Sequence, residues 1–369
     1  MKNKKLSLDE ISVFIRNGVT IKQNNLEKQG YPITRIETIA SGVIDETRMG
    51  YAGIFEKEKY REWFLEDEDI LISHINSEKH LGKSAIYIGE NDRIIHGMNL
   101  LCLRVKKEIV LPKYLYFYFK SLKYKVSIGK ISKKSVNQAS FSIKDFKEIE
   151  LEIPNIEIQK KIVLILDKLV EILKDKKEIL LQLDELNKCL FFRVINRTKE
   201  SEKEDLVKNW KEIFNVRTGK LDSNAMIENG KYPFFTCAKE IFRINDYAFD
   251  CEALLLAGNN AAGVYDVKYY KGKFNAYQRT YVLELKNKEW HYKFFKQQLE
   301  EKLLYLKYHS KGTNTRYLTL EILNKLNFIV PSLQEQQKYE NYITKIEKSK
   351  FLLLNFLKIQ DLRIFKVEL

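Results

Sequence analysis

The pattern of apolar and polar residues changes its period at Pro154. Before it, Ile149, Leu151 and Ile153 alternate with charged residues, which predicts a strand with one buried face. After it, apolar residues recur every three or four positions over about four heptads, which predicts a long helix with an apolar seam. The seam consists of Ile162, Ile165, Leu169, Ile172, Ile179, Leu183, Leu186 and Leu190. At 1.5 Å per residue, a helix of about 40 residues would be ~60 Å long.

The same change of period occurs again near the end of the chain. Residues 153–161 match residues 330–338, and Leu326, Phe328 and Val330 repeat the alternation seen before the first proline. A second helix is therefore predicted from about Leu333. Its packing positions include Ile346, Leu353 and Val367. Two long helices with apolar stripes most simply pack on each other, so we predict an antiparallel coiled coil. The alternative is that each helix packs on its own domain.

Short apolar runs upstream of each proline predict strands in both copies. The clearest runs are residues 70–73, 84–88, 99–105, 253–257 and 280–285. The predicted fold class is therefore α+β, with two pseudo-repeated domains that contain curved, largely antiparallel β-sheets. The two long helices, packed as an antiparallel coiled coil, would join these domains. The predicted boundaries are 1–156, 157–200, 201–331 and 332–369.

Charge follows the same division. The chain of 369 residues has 64 cationic and 50 anionic side chains, a formal net charge of +14. The four predicted segments carry net charges of +5, +2, +5 and +2, so both globular copies are basic and both helices are nearly neutral. An excess of cations favours a polyanionic partner.

Three stretches contain no acidic residue: 109–144, 267–283 and 302–320. They carry lysine, arginine and tyrosine, and predict a nucleic-acid surface; the alternative for any one of them is a solvated face. Lysine would contact phosphates, whereas asparagine, glutamine and arginine can read base edges. The predicted DNA-binding residues are Lys120, Lys123, Lys125, Lys130, Lys133, Lys134, Asn137, Gln138, Lys268, Lys271, Lys273, Arg279, Lys302, Lys307, Lys311, Thr313, Asn314 and Arg316. For the amide and hydroxyl groups, the alternative is a turn that leads into the next helix.

The sequence lacks the motifs of several enzyme classes. It contains no Gly-x4-Gly-Lys-Ser/Thr loop, no Gly-x-Gly-x-x-Gly and no Asn/Asp-Pro-Pro-aromatic loop. The five histidines show no metal-ligand spacing and are expected in loops or at the surface, and the acidic run 66–69 is expected to be a solvated turn. We therefore predict neither catalytic residues nor a metal site. No apolar run reaches the ~18 residues of a membrane span, and the scattered cysteines fit a reducing compartment, so a cytoplasmic location is expected.

The order of these features resembles the specificity subunit of type I restriction–modification systems. The resemblance covers essentially the whole chain and is most specific over residues 153–190, with Leu-Asp-Lys-Leu at 166–169 and Leu-Asp-Glu-Leu at 183–186. Residues 69–73 and 81–86 also look like strands of the family's first domain. The second helix departs from the pattern, because it lacks the Leu-Asp-x-Leu repeat.

The resemblance implies a non-catalytic DNA-recognition subunit. Segments 1–156 and 201–331 would be target recognition domains, each of which binds one half of a bipartite site in double-stranded DNA. The helices would be a spacer and a docking platform for two methyltransferase (modification) subunits, which a restriction subunit can join. This chain would hold no cofactor, because S-adenosylmethionine, ATP and magnesium would be bound by those partners. The alternatives are a structural coiled-coil adaptor and a stand-alone DNA-acting enzyme such as a nuclease.

Overall fold

The computed structural model describes residues 4–23, 28–135, 138–200 and 206–363, with the backbone alone for residue 199 and residues 358–363. The chain divides into two compact units. The first unit consists of residues 1–176 and 355–369, and the second unit consists of residues 177–354. Each unit therefore combines a globular part with segments of both long helices.

The first unit mixes strands and helices. Its strands are β1 (Lys4–Ser7), β2 (Ser12–Asn17), β3 (Ile70–Ser73), β4 (Ile75–Asn76), β5 (Ser84–Ile86), β6 (Leu100–Val105), β7 (Lys133–Lys134), β8 (Ala139–Ser140) and β9 (Glu150–Ile153). Its α-helices are α1 (Leu8–Ile11), α2 (Pro112–Tyr118), α3 (Leu122–Ile131), α4 (Ile143–Lys147) and the first part of α5 (Ile156–Glu200). Short 3-10 helices lie at Ile36–Ile39, Glu46–Arg48, Glu58–Trp63 and Glu78–His80.

A four-stranded antiparallel sheet forms the centre of the first unit, with the order β2-β6-β3-β5. Apolar side chains from one face of β3 and β6 form a core with α2, α3 and the start of α5. A smaller sheet, β4-β8-β7, contains the hairpin that follows α3. The runs predicted at residues 70–73, 84–88 and 99–105 correspond to β3, β5 and β6.

The second unit repeats this plan and extends its sheet. Its strands are β10 (Val207–Asn209), β11 (Phe214–Thr218), β12 (Tyr232–Phe235), β13 (Phe242–Ile244), β14 (Phe249–Ala257), β15 (Asn259–Asn260), β16 (Val267–Ala276), β17 (Thr280–Leu285), β18 (Arg316–Tyr317) and β19 (Asn327–Ile329). Its helices are α6 (Trp210–Ile213), α7 (Tyr292–Glu301), α8 (Leu303–His309), α9 (Leu320–Leu323) and most of α10 (Leu333–Arg363), with a 3-10 helix at Ser223–Ala225. The sheet order is β11-β17-β14-β16-β12-β13, of which the first four strands match the order in the first unit.

In each globular part, the first strand pairs with the last strand. β1 pairs antiparallel with β9, and β10 pairs antiparallel with β19. Each opening strand ends at a capping box that starts a one-turn helix. In the first unit, Ser7 Oγ accepts from the Glu10 N–H (3.2 Å) and the Glu10 carboxylate accepts from the Ser7 N–H (2.7 Å). Asn209 and Glu212 make the same reciprocal pair at 3.2 and 2.8 Å.

A buried glutamine fixes the start of each long helix. In α5, Gln159 Nε2 donates to the carbonyls of Ile109 (3.0 Å) and Pro154 (2.8 Å). Gln159 Oε1 accepts from the Leu111 N–H at 2.8 Å. One side chain therefore satisfies three backbone groups that the ends of neighbouring elements leave without partners.

In α10, Gln336 occupies the equivalent position and is also fully buried. Its Nε2 donates to the Pro331 carbonyl at 2.8 Å, and its Oε1 accepts from the His291 N–H at 3.1 Å. The match between residues 153–161 and 330–338 thus reflects a shared tertiary contact as well as a shared helix start.

The long helices pack antiparallel, as predicted. Within the second unit, the hydroxyl of Tyr339 donates to Asn187 Oδ1 at 2.7 Å. Further along α10, Lys350 forms an ion pair with Asp184, which comes earlier on α5. The contact with the higher residue number on α10 has the lower residue number on α5, so the two helices run in opposite directions.

The last described turns of α10 belong to the first unit. There, the ammonium of Lys176 on α5 lies 4.5 Å from the centre of the Phe356 ring, a cation–π contact. Of the packing positions predicted on α10, Ile346 is buried in the core of the second unit and Leu353 is half-buried. Val367 lies outside the described residues.

The packed face of α5 differs from the predicted seam. One row packs on the two cores: Ile162, Leu169, Leu183 and Leu190. The other row is 42–58% exposed: Ile165, Ile172, Ile179 and Leu186. In the first unit the reason is Leu166, which is buried in the core and turns the packed stripe away from Ile165 and Ile172. At 100° per residue, Ile165 and Ile172 lie about 60–80° around the helix from Ile162.

Buried polar groups in the first unit correct one expectation from the sequence and add to another. Asp69 ends the acidic run that was expected to be a solvated turn, yet it is buried and accepts from Arg104 Nε and Nη2, each at 2.8 Å. His74 and His96 were expected in loops or at the surface; both lie outside the helices and strands, as expected for loop residues, and both are buried. Burial lowers the pKa of His74, and it lowers the pKa of His96 to about 4. His96 Nε2 lies 2.9 Å from the Leu100 carbonyl, so it is the donor and the ring is neutral.

The burial of His96 predicts a loss of stability in acid. An unfolded histidine binds a proton near pH 6.5, whereas folded His96 resists protonation until about pH 4. The unfolded state therefore holds more protons in this window, and the free energy of unfolding should fall by about 3 kcal/mol as the pH drops through it. Urea unfolding followed by circular dichroism between pH 4 and 7.5 would measure the slope. His96→Gln should flatten it, and equal slopes for the two proteins would contradict the assignment.

Candidate nucleic-acid interface

A short hairpin follows α3 in the first unit; we call residues 133–140 the first hairpin. β7 and β8 pair antiparallel, and the Ser135 N–H donates to the Gln138 carbonyl at 2.7 Å. Lys133, Lys134 and Gln138 are all exposed. Asn137 lies outside the described residues. The first hairpin therefore carries two lysines and an amide side chain at the surface.

Further lysines lie on α3, directly before the first hairpin. Lys123, Lys125 and Lys130 are exposed, whereas Lys120, at the preceding turn, is half-buried. The tyrosines of this acid-free stretch are core residues: Tyr114, Tyr116, Tyr118 and Tyr124. The surface here is therefore cationic, and its aromatic residues hold α2 and α3 against the sheet.

The second unit has a closed loop at the equivalent place; we call residues 311–317 the second hairpin. Lys311 and Tyr317 exchange two backbone hydrogen bonds, of 3.0 and 2.8 Å. Gly312 has φ +94°, and a Cβ there would lie 2.3 Å from a carbonyl oxygen, so glycine is required. Thr313 and Asn314, at the tip, are exposed. Residues 313–315 form a bend, which presents their side chains to solvent.

Two further cations lie beside the second hairpin. Arg316 Nη1 donates to the carbonyl of Lys307 at 3.0 Å, which ties the hairpin to the end of α8. The Gly258 N–H donates to the carbonyl of Arg279, and the Gly258 carbonyl accepts from the Leu318 N–H, both at 2.8 Å. The backbone around Gly258 therefore brings the exposed residues Arg279 and Lys307 into one group with the hairpin.

The remaining predicted contacts of the second unit lie elsewhere. Lys268 is already neutralised, because its largely buried ammonium forms an ion pair with Asp266. Lys271 and Lys273 are exposed but lie opposite the start of β14, about 20 Å along the strand from the loop at its end. The ammonium of Lys302 lies 5.3 Å from the centre of a core phenylalanine ring. The structure therefore places Lys271 and Lys273 away from the second hairpin and holds Lys268 in an ion pair.

One lysine of each hairpin is held by an exposed glutamate. Lys134 Nζ lies 2.6 Å from Glu78, and Lys311 Nζ lies 3.0 Å from Glu321. The Lys311 ammonium lowers the pKa of Glu321. Exposed pairs of this kind contribute little to stability, so a phosphate can replace the glutamate at little cost. These ion pairs orient the two lysines, and both ammonium groups can still bind a phosphate in place of the glutamate.

The described residues offer neither a metal-binding cluster nor a membrane-spanning helix. Among those residues, no group of three or more His, Cys, Asp or Glu side chains is placed to hold a metal ion. No described helix is both long enough and apolar enough to cross a membrane. The features that remain as a candidate site are the two cationic hairpins.

Each globular part is an α+β unit that is followed by a long helix, so the structure is duplicated along the chain. The family model for the "Type I restriction modification DNA specificity domain" matches residues 2–184 and again residues 202–361. The chain therefore belongs to this family, and the resemblance seen in the sequence is confirmed.

Curated relatives carry matching names. The chain is 43% identical over 176 residues to the "Putative type I restriction enzyme MjaX specificity subunit" of Methanocaldococcus jannaschii, a match that covers 47% of this chain and 41% of the relative. It is 37% identical over 145 residues to the "Type I restriction enzyme EcoDI specificity subunit" of Escherichia coli, covering 38% of this chain and 31% of the relative. The matches thus span less than half the length of either relative.

Solved structures share the fold. The type I restriction–modification S subunit of M. genitalium superimposes with a TM-score of 0.59 at 18% identity, over 98% of this chain and 95% of that one. A chain from a structure titled for "complex assembly" of the type I R-M system gives a TM-score of 0.54 at 14% identity, over 100% and 98%. At these identities the similarity establishes the fold, and the predicted α+β class with paired long helices is confirmed.

Proposed function

We propose that this chain is the non-catalytic DNA-recognition subunit of a type I restriction–modification complex. In this proposal, each globular part binds one half of a bipartite site in double-stranded DNA. The observation that carries the proposal is the duplicated hairpin, which presents exposed lysines beside amide or hydroxyl side chains in both units. Lysines fix the position of a protein on the phosphates, and amide groups can read the edges of bases.

The exposed apolar side chains of the two long helices support the second part of the proposal, which concerns protein partners. Large apolar side chains remain exposed on α5 and on α10, among them Leu164, Ile172, Leu181, Phe351 and Leu352. Exposed apolar groups along a helix favour protein contacts. We infer that methyltransferase subunits, two per chain, dock there, and that a restriction subunit can join the assembly. S-adenosylmethionine, ATP and magnesium would then be bound by these partners in the cytoplasm.

Sequence-dependent binding should require the partner. The purified chain alone should bind DNA weakly and with strong salt dependence, because phosphate contacts dominate. With its cognate methyltransferase, it should retain one bipartite sequence from a randomised duplex library at physiological salt. Sequencing of the retained DNA is the measurement. Retention without any sequence preference would contradict the proposal, and cleavage by the chain alone with magnesium would replace it with a nuclease.

A further inference from the structure

A cavity of about 530 Å³ lies in the first unit, between α3 and the turn that leads into β5. Residues 41–42, 78–79, 81–84, 119–120, 124–125, 128–129 and 132 contribute to its walls. Part of the lining is apolar: Leu81, Phe119, Tyr124 and Ile128, with the Phe119 and Tyr124 rings stacked 4.4 Å apart. A concave site of this volume, mostly apolar with a few polar groups, is typical of small-molecule binding.

Cations dominate the charged part of the lining. Lys79, Lys83, Lys120 and Lys125 all contribute to it. The carboxylate in the lining, Glu78, lies 2.6 Å from Lys134 of the first hairpin and is neutralised by it. A concave surface with excess positive charge and low-dielectric walls concentrates anions.

Of the four lysines that line the cavity, Lys120 would gain the most from a bound anion. Its ammonium donates to the Tyr116 hydroxyl and lies 3.9 Å from the centre of that ring. Burial lowers the pKa of Lys120 to about 8. Among the described residues, no carboxylate lies within ion-pair distance of it. An ammonium that has lost water without gaining a counter-ion is stabilised by any anion that reaches it.

We propose that this cavity binds a single nucleotide, with the phosphate on Lys120 and its neighbouring lysines and the base against Leu81, Phe119 and Ile128. Phosphate oxygens suit ammonium groups, and a flat base suits an apolar wall that contains an aromatic ring. The nucleotide can be a free mononucleotide or an unpaired nucleotide of a DNA strand, since both offer the same chemistry. This site is distinct from the hairpins and goes beyond the proposed function.

Calorimetric titration of the full chain tests the proposal with three probes: AMP, inorganic phosphate and adenosine. AMP should bind more tightly than either phosphate or adenosine, because each of these fills only half of the site. Lys120→Met should weaken AMP binding about tenfold or more. Gly129→Phe should abolish it, because Gly129 lines the cavity and a Cβ added there meets no atom within 4 Å, so the new side chain can start without a clash. Lys144→Met, an exposed lysine on α4 outside the cavity, is the matched control and should bind AMP as the wild type does.

The pH dependence gives an independent readout. AMP affinity should fall between pH 8 and 10, because Lys120 loses its proton there while the phosphate of AMP remains fully ionised. Lys120→Arg keeps its charge in this range and should remove the fall. AMP that fails to bind, or that binds the wild type, Lys120→Met and Gly129→Phe equally, would overturn the proposal.

A competition experiment separates the two sources of the nucleotide. A single-stranded oligonucleotide that displaces AMP, and that Gly129→Phe weakens, identifies the strand as the source; an oligonucleotide that leaves AMP bound identifies the free nucleotide. The retention of duplex DNA with the methyltransferase is measured separately. A failure of the nucleotide site can therefore be distinguished from a failure of DNA recognition.

Discussion

Replacing Lys130, Lys134, Lys307 and Lys311 with alanine should weaken the binding of nonspecific duplex DNA by about 10³-fold at 0.15 M salt. All four side chains are exposed on or beside the two hairpins. Each phosphate contact releases close to one counter-ion, which at this salt contributes a factor of about five, and four such factors multiply to about 10³. The slope of log affinity against log salt should become less steep by about 3.6. Fluorescence anisotropy across a salt series measures both quantities.

The control carries the same loss of charge on the long helix: Lys161, Lys174, Lys177 and Lys188 replaced by alanine. These lysines are exposed on α5, away from both hairpins in sequence. Net charge alone would lower DNA affinity equally in the two quadruple variants. We expect the control to keep most of the wild-type slope, and equal slopes in both variants would exclude the hairpins as the contact surface.

Replacing Gln159 with alanine should lower the free energy of unfolding of the first unit by about 2–4 kcal/mol. The change leaves the Leu111 N–H and the carbonyls of Ile109 and Pro154 buried without their partner, and each such group costs about 1–3 kcal/mol unless the structure relaxes. Hydrogen exchange measured by mass spectrometry would report the loss locally. The peptide with Leu111 should exchange faster, whereas the peptide with His291 should keep its wild-type rate.

The duplication provides an internal control for this prediction. Gln336→Ala should reverse the pattern, because its Oε1 accepts from the His291 N–H. Gln182→Ala removes a glutamine that is exposed on α5 and should change neither peptide. If Gln159→Ala and Gln336→Ala both unfolded at the same urea concentration as the wild type, the hydrogen bonds of these glutamines would contribute nothing measurable to stability.

The fold was largely predictable because its signals are local. Alternation before Pro154 and Pro331 predicted β9 and β19, and the match at an offset of 177 residues predicted the duplication. The face of α5 was not predictable, because Ile165 and Leu166 are equally apolar and only the tertiary core decides which of them is covered. The same holds for Asp69, whose burial depends on Arg104, 35 residues further along the chain.

The candidate site was predictable only where its residues are close in sequence. Lys133 and Gln138 were found because one acid-free stretch contains both. Lys268 fell in a similar stretch, but its neighbour Asp266, just outside that stretch, neutralises it. The cavity was missed, because Lys83 and Lys120 come from segments whose meeting depends on how α3 packs against the turn before β5. Charge counts along a chain do not report which cations share a cavity.

The last described turns of α10 pack in the first unit, and this affects when that unit can finish folding during synthesis on the ribosome. Phe356 contacts Lys176, yet all of residues 177–354 must be synthesised between them. At about 5–20 residues per second, the first unit would wait roughly 10–40 s for its final helical segment. During this interval its partly assembled apolar surface is open to chaperones, and the second unit is already leaving the exit tunnel. Completion of the first unit therefore comes late relative to the synthesis of its own sheet, which is translated first.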